Sequence, residues 1–215
     1  MLSKVDKDNY FDNTGHMSVS KYKKFRNCEL DGLEEWGDPT PSMLVGSYVD
    51  SYVEGTLEQF IKDNPQIISS RGKTKGQLKS EFKQADEICN FIDNDKVLQQ
   101  FLSGEKQVIM TGEIENVPFK IMMDSYDEGV AISDLKCMRS ITSRDGTYYD
   151  FISQWGYDIQ LAVYQEIVRQ NTGDILPTFI CAVTKETPIN SAVIHIPQNI
   201  LDKALYDVQS HVERY

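Results

Sequence analysis

Asp124 and Asp134, with Lys136 two positions beyond the second aspartate, are the residues of this chain whose types and spacing best suit chemistry. Two carboxylates held side by side repel unless they share a cation, and hard oxygen donors of this kind suit Mg2+ or Mn2+. Residues two apart on a strand point to the same face, so a strand through Asp134-Leu135-Lys136 sets the carboxylate and the ammonium together. There the ammonium can orient or help deprotonate an attacking water, or steady a phosphate. Leu135 points the other way, but its backbone carbonyl can still reach a metal. Taken alone, the same residues also describe a surface hairpin with two acids and a paired lysine.

Two further sets of residues bear on that choice. Asp50 and Glu54, in Gly46-Ser-Tyr-Val-Asp50-Ser-Tyr-Val-Glu54, stand four apart on a mostly apolar helical pattern, so either can supply another oxygen ligand. An exposed acidic stripe is the competing reading. Gln160 and Tyr164 repeat the four-residue spacing, and from one helix face they can hold a phosphate or a metal-bound water; an ordinary amphipathic helix is the alternative. Glu105 and Glu113 sit on the strand that enters the aspartate region, and one of them can support the site.

The elements that must position these side chains follow from periodicity. Ser18 is a candidate N-cap for a helix to residue 36, ended by Gly37-Asp-Pro-Thr-Pro41. Apolar residues at helical spacing predict a helix over 42–62, and two more are expected over 75–90 and 95–102. Strands are expected over 107–114, 117–125 and 130–137, joined by turns at Glu115-Asn116 and Asp127-Glu128-Gly129 as an antiparallel meander. A long helix over 151–170 ends at Asn171-Thr-Gly173, strands follow over 176–183 and 191–196, and a last helix runs from Pro197 to the final residue. This order predicts an α/β fold, a mixed central sheet flanked by helices behind a helical N-terminal region.

Bulk properties limit the alternatives. At 215 residues with 40% hydrophobic content, the chain can bury a core without staples. Cys28, Cys89, Cys137 and Cys181 are scattered without a CxxC pair, which argues against a disulfide framework and a self-contained zinc site. No apolar run approaches the ~20 residues that span a bilayer, and the segment from Met1 to Lys7 has no apolar signal region, so a cytoplasmic, membrane-free location is expected. A net charge of −11 argues against nucleic acid unless bound cations invert the local charge or the basic residues gather on one face. The densest basic stretch, from Arg71 to Lys79, reads as a solvated loop.

The order Gly46-x3-Asp50, Asp124, Asp134-Leu135-Lys136, Gln160-x3-Tyr164 resembles the PD-(D/E)xK nuclease superfamily, in particular its RecB-like and RecE-like exonuclease branch of phages and recombination systems. The segment from Gly112 to Asp124 also looks like the hairpin that delivers the first aspartate in phage members, and the resemblance covers residues 18–196. It implies a restriction-endonuclease-like core and a Mg2+- or Mn2+-dependent deoxyribonuclease. Asp124, Asp134, Asp50 and the Leu135 carbonyl would hold metal, and Lys136, Gln160 and Tyr164 would assist. The expected organisation is one nuclease domain over 1–215, with a helical part over 1–104, a sheet core over 105–196 and a terminal helix over 197–215. DNA ends are the expected partner, with room for a recombination partner protein and a homo-oligomer, in a phage- or bacterium-encoded protein of the host cytoplasm. Relatives with an iron–sulfur cluster carry one cysteine ahead of the core, where Cys28 lies, and three near the C-terminus. No CxxC follows Cys28, the candidate cluster ligand, so either the protein lacks the cluster or the later cysteines lie outside this sequence, and a cluster bound to this chain is not expected. Many relatives have His where this chain has Asp50, which bears on metal preference. A catalytically idle copy of the fold, binding DNA or a partner protein, is the rival class. RNA or internal sites are rival substrates.

Overall fold

A computed structural model describes residues 5–34, 37–141 and 149–214. The expected helix end at Trp36, the leading residues 1–4 and the terminal Tyr215 lie outside them. Residues 5–16 run in turns to a two-residue strand, β1 (Met17–Ser18). The Ser18 hydroxyl then caps α1 (Val19–Asn27), accepting from the Lys21 N–H at 3.2 Å. The helix does not continue as expected: Cys28 is extended, and a separate α2 (Glu29–Leu33) follows.

Thr40 caps α3 (Pro41–Glu54), which has proline in its first turn. Gly55, at φ 77°, ends it and divides the predicted 42–62 helix from α4 (Leu57–Asp63). Next come α5 (Ser80–Asn94), starting later than periodicity indicated, and α6 (Lys96–Phe101), capped by the Asp95 carboxylate. The second half holds β2 (Val108–Ile114), β3 (Val117–Met123), β4 (Ser125–Asp127), β5 (Ala131–Met138), α7 (Tyr149–Gln154), α8 (Tyr157–Thr172), β6 (Thr178–Thr184), β7 (Ser191–Ile196) and α9 (Gln198–His211). A left-handed Gly156, φ 62°, separates α7 from α8 where one helix was expected.

The strands form two mixed sheets. One has the order β1-β3-β2, with β1 parallel to β3 and β2 antiparallel to it. The other has the order β4-β5-β6-β7, parallel only between β5 and β6. The predicted meander is thus broken at Asp124, where the chain leaves one sheet for the other. The hairpin register is the same on both sides of the break: Val108 faces Met123, and Glu105 faces Tyr126. No residue is inserted. Instead Gln107 takes a left-handed φ of 54° and the ladder lapses there, which frees Asp124 from pairing.

Helices cover both faces of the four-stranded sheet. Ile132 of β5 joins a core with α1, α8 and α9, whereas Leu135 joins a second core with α3 and α5. Alternation along β5 therefore buries both of its faces, and Asp134 and Lys136 share the face of Ile132. Among the described residues no helix is long and apolar enough to cross a membrane.

Candidate active site

The turn from β4 to β5 sets Ser125 opposite Ser133, and one step further in the same register sets Asp124 opposite Asp134. Released from the ladder, Asp124 accepts the Leu135 N–H on Oδ2 at 2.9 Å. A strand residue presents its N–H and C=O to the same side, so the Leu135 carbonyl also faces the place where β4 has ended. Asp134, 1% exposed, forms an ion pair with Lys136 and accepts from Gln160 Nε2 on Oδ1 at 2.8 Å. Gln160 Nε2 also reaches the Tyr164 hydroxyl at 3.2 Å, and that hydroxyl donates to the Met122 carbonyl at 3.0 Å. The i, i+4 pair on α8 thus ties the last turn of β3 to Asp134.

Asp50 enters from α3, in the other layer. Its Oδ1 is sealed from solvent and has no hydrogen-bond partner among the described residues. Burial pushes its carboxyl up to about 7, with Asp134 and Glu54 adding to the rise and Lys136 opposing it. Burial, and then Asp134, holds the Asp124 carboxyl well above the usual range. Burial works against the charged form of Lys136, but Asp134, Asp124 and Asp50 outweigh it and keep the ammonium protonated. Burial, followed by the nearby Asp134, raises the Tyr164 phenol. The site therefore has three acidic side chains around one ammonium, with unmet demand for positive charge.

That imbalance is the test of whether a divalent cation fits. An orphaned carboxylate oxygen, two mutually repelling aspartates and an outward-facing carbonyl form a hard oxygen donor set. Among the described residues, however, no three Asp, Glu, His or Cys side chains stand ready-assembled to hold an ion, so a metal would have to draw Asp134 away from Lys136. The donor chemistry fits a metal held by two carboxylates, the Leu135 carbonyl and water.

A family profile described as a PDDEXK-like domain of unknown function (DUF3799) matches residues 18–215. The chain belongs to this family. Among solved structures, it is similar to a protein from Eubacterium rectale named as a candidate exonuclease, at 48% identity and a TM-score of 0.91, covering 99% of this chain and 85% of that one. A second structure, SSO0001, matches at 14% identity and a TM-score of 0.33 over 89% of this chain and 83% of that one, too little to carry an argument. No curated protein matches.

In this PDDEXK-like chain the remaining expected residues are distributed unevenly. Glu54 bonds to Gln107 and Thr56 beside Asp50, at the rim. Glu105 is exposed and reaches the site only through its backbone pairing with Tyr126. Glu113 faces Pro118 at the turn end of the β2–β3 hairpin, six residues and about 20 Å along the strand from Asp124, which removes it from the site. Cys28 is exposed; Cys89 and Cys181 are buried in the second core, and Cys137 packs against it, so the four cysteines form no metal group among the described residues. Gly46 keeps an ordinary helical backbone, and an added Cβ there would meet nothing within 4 Å, so packing does not demand this glycine.

Sequence reasoning missed four side chains that the fold brings near the acids. Tyr10 comes from the irregular N-terminal segment, and burial with Asp124 close by pushes its phenol up to about 12. The buried Lys120 holds that segment down by donating to the Tyr10 and Asn13 carbonyls. Lys106 lies close enough to Asp124 for the carboxylate to oppose the effect of burial on its ammonium. Lys23 and Tyr157 lie beside Lys136, and burial and then Lys136 pull the Lys23 ammonium down to about 8. None of the four has a local spacing signal, because each arrives from a different element.

Proposed function

We propose that this protein is a Mg2+- or Mn2+-dependent deoxyribonuclease, an exonuclease acting on DNA ends in phage-type recombination or repair, with residues 1–215 working as one nuclease domain. The reading is carried by one observation: the buried group of Asp124, Asp134 and Lys136, fixed by the Leu135 amide and Gln160, in a family whose fold typically uses a divalent ion. The candidate-exonuclease name of the Eubacterium rectale protein, at 48% identity, supports the substrate class.

Asp124, Asp134 and the Leu135 carbonyl would hold the ion, with Asp50 next to them. When bound, the ion supplies Lewis-acid stabilisation of charge on the phosphate and an acidified water. The protein's own part is positional. Gln160 keeps the Asp134 carboxylate aimed at the Asp124 side, and the Leu135 amide does the same for Asp124. Lys136, held as an ammonium, stabilises negative charge on the scissile phosphate and orients water, which suits an electrophilic role better than that of a base. Tyr164 acts through Gln160 and is a positioning residue.

Linear duplex, single-stranded circle and RNA, each incubated with Mg2+ or Mn2+, test the reading. Degradation of linear DNA is expected, with losses of 100-fold or more for Asp134→Ala and Lys136→Ala, roughly the size seen when one electrostatic group is removed. Unchanged cleavage in these variants would sink the assignment. The idle-fold reading draws on the ion pair that occupies Asp134. Calorimetry decides it, since a working site binds Mn2+ and Asp124→Ala does not.

A further inference from the structure

The net charge of −11 leaves open where a polyanion would lie, and α1 supplies a surface of the right sign. Four of its nine residues, Lys21, Lys23, Lys24 and Arg26, are basic, and none is acidic. One side of α1 forms a wall of a groove of about 550 Å³ whose other wall is the α7–α8 junction. Lys23, Arg26, Asn27, Gln154 and Trp155 are among the residues lining it, and no carboxylate lines it among the described residues. Trp155 leaves 62% of its surface in water, an unusual state for an indole, and among the described residues no hydrogen bond accounts for it.

Lys23 connects this groove to the acids. Its stem crosses Gly156 so closely that a Cβ there would lie 2.9 Å from Lys23 Cδ, and its Nζ donates to the Trp155 carbonyl at 3.0 Å. Two further protons of the ammonium stay available to a ligand. The Tyr157 ring carries two cations at once, Lys23 Nζ at 5.7 Å and Lys136 Nζ at 5.5 Å from its centroid. Tyr157 therefore links the free face of the groove, through Lys23, to Lys136, whose own charge is paired with Asp134.

We propose that this groove is the track of a single DNA strand leaving the scissile position, with Lys23 binding a backbone phosphate next to the scissile one and Trp155 stacking a base beyond it. The inference rests on the nuclease reading for the identity of the polymer. Charge complementarity selects the phosphate backbone, and the exposed indole selects an unpaired base, because a base within a duplex offers no free face.

Anisotropy of a fluorescein-labelled oligodeoxythymidylate, titrated with the full chain in EDTA, reads binding without cleavage. Trp155→Ala is expected to weaken binding roughly tenfold, and Trp155→Phe to recover most of it, as stacking requires. Lys23→Ala is expected to weaken binding and to lower the slope of log affinity against log salt by about 0.7, the share of one phosphate on a single strand. Lys73→Ala, in the exposed loop that carries the densest basic run, should bind as wild type. Wild-type affinity in both Trp155→Ala and Lys23→Ala, or equally good competition by a blunt duplex, would overturn the track. Cleavage by Asp134→Ala separates the two readings. If that variant still degrades DNA the site assignment fails, whereas the binding data judge the groove whichever way cleavage falls.

Discussion

Asp50 illustrates what burial does to a single carboxyl. In the metal-free protein it is pushed up to about 7, so the folded chain keeps its proton over a range in which the unfolded chain, with an ordinary aspartate value of about 3.9, has lost it. The native state then binds more protons than the unfolded one, and stability must fall as pH rises from about 4 to about 7 and level off above that. Asp124, raised well above its usual range, acts with the same sign. Melting temperatures in EDTA across this window check it, and a rise with pH would contradict the burial argument. Asp50→Asn removes the charge but keeps the shape, so it should flatten the pH dependence and raise the metal-free melting temperature at pH 8. The same variant should weaken Mn2+ binding in calorimetry, which separates a role at the metal from one in packing alone.

At the scale of elements, the decisive feature is the lapse between β3 and β4, since it is what turns Asp124 toward Leu135. The segment ahead of β2 braces it. Gly104 donates its N–H to Ser125 Oγ at 3.0 Å, and Glu105 exchanges both backbone hydrogen bonds with Tyr126. A Cβ on Gly104 would lie 2.6 Å from the Tyr126 carbonyl carbon and oxygen, and backbone cannot move aside as a flexible side chain does. Gly104→Ala is therefore expected to destabilise by about 1–3 kcal/mol, the usual range for overpacking, visible as a lower urea midpoint. It should also reduce cleavage, because β4 carries the register that faces Asp124 to Asp134. An unchanged midpoint would show that the brace is not needed.

Across the whole molecule, the acidity and the proposed chemistry fit together. Three carboxylates around one ammonium make the metal-free site electrostatically unfavourable, so a divalent ion should stabilise the folded chain as a whole. At about a hundred times its dissociation constant, Mn2+ is expected to add about 2.7 kcal/mol, seen as a higher melting temperature. Asp124→Ala should abolish the gain, and a gain that survives in that variant would place the ion elsewhere. The two cores meet along β5 and β6, with Ile132 and Ile180 on one side and Leu135 and Cys181 on the other. Loosening either core should therefore disturb the site.

By itself the sequence determined the main order of helices and strands, the cap at Ser18, the shared face of Asp134 and Lys136, and the family likeness. These depend on short-range periodicity and on side chains bonding to their own backbone, which neighbours a few residues away fix. Boundaries set by left-handed glycines, at Gly55 and Gly156, were less legible, because periodicity runs on through them. Tertiary structure alone decided which acids meet. Glu113 was a possible support for the site, yet hairpin register sends it to the far end of β2. Lys23, Tyr157, Tyr10 and Lys106 carry no spacing signal and become neighbours of the acids only through long-range packing. The break at Asp124 has the same origin, since the ladder lapses where one chain passes from the first sheet to the second. A local pattern holds no information about that meeting.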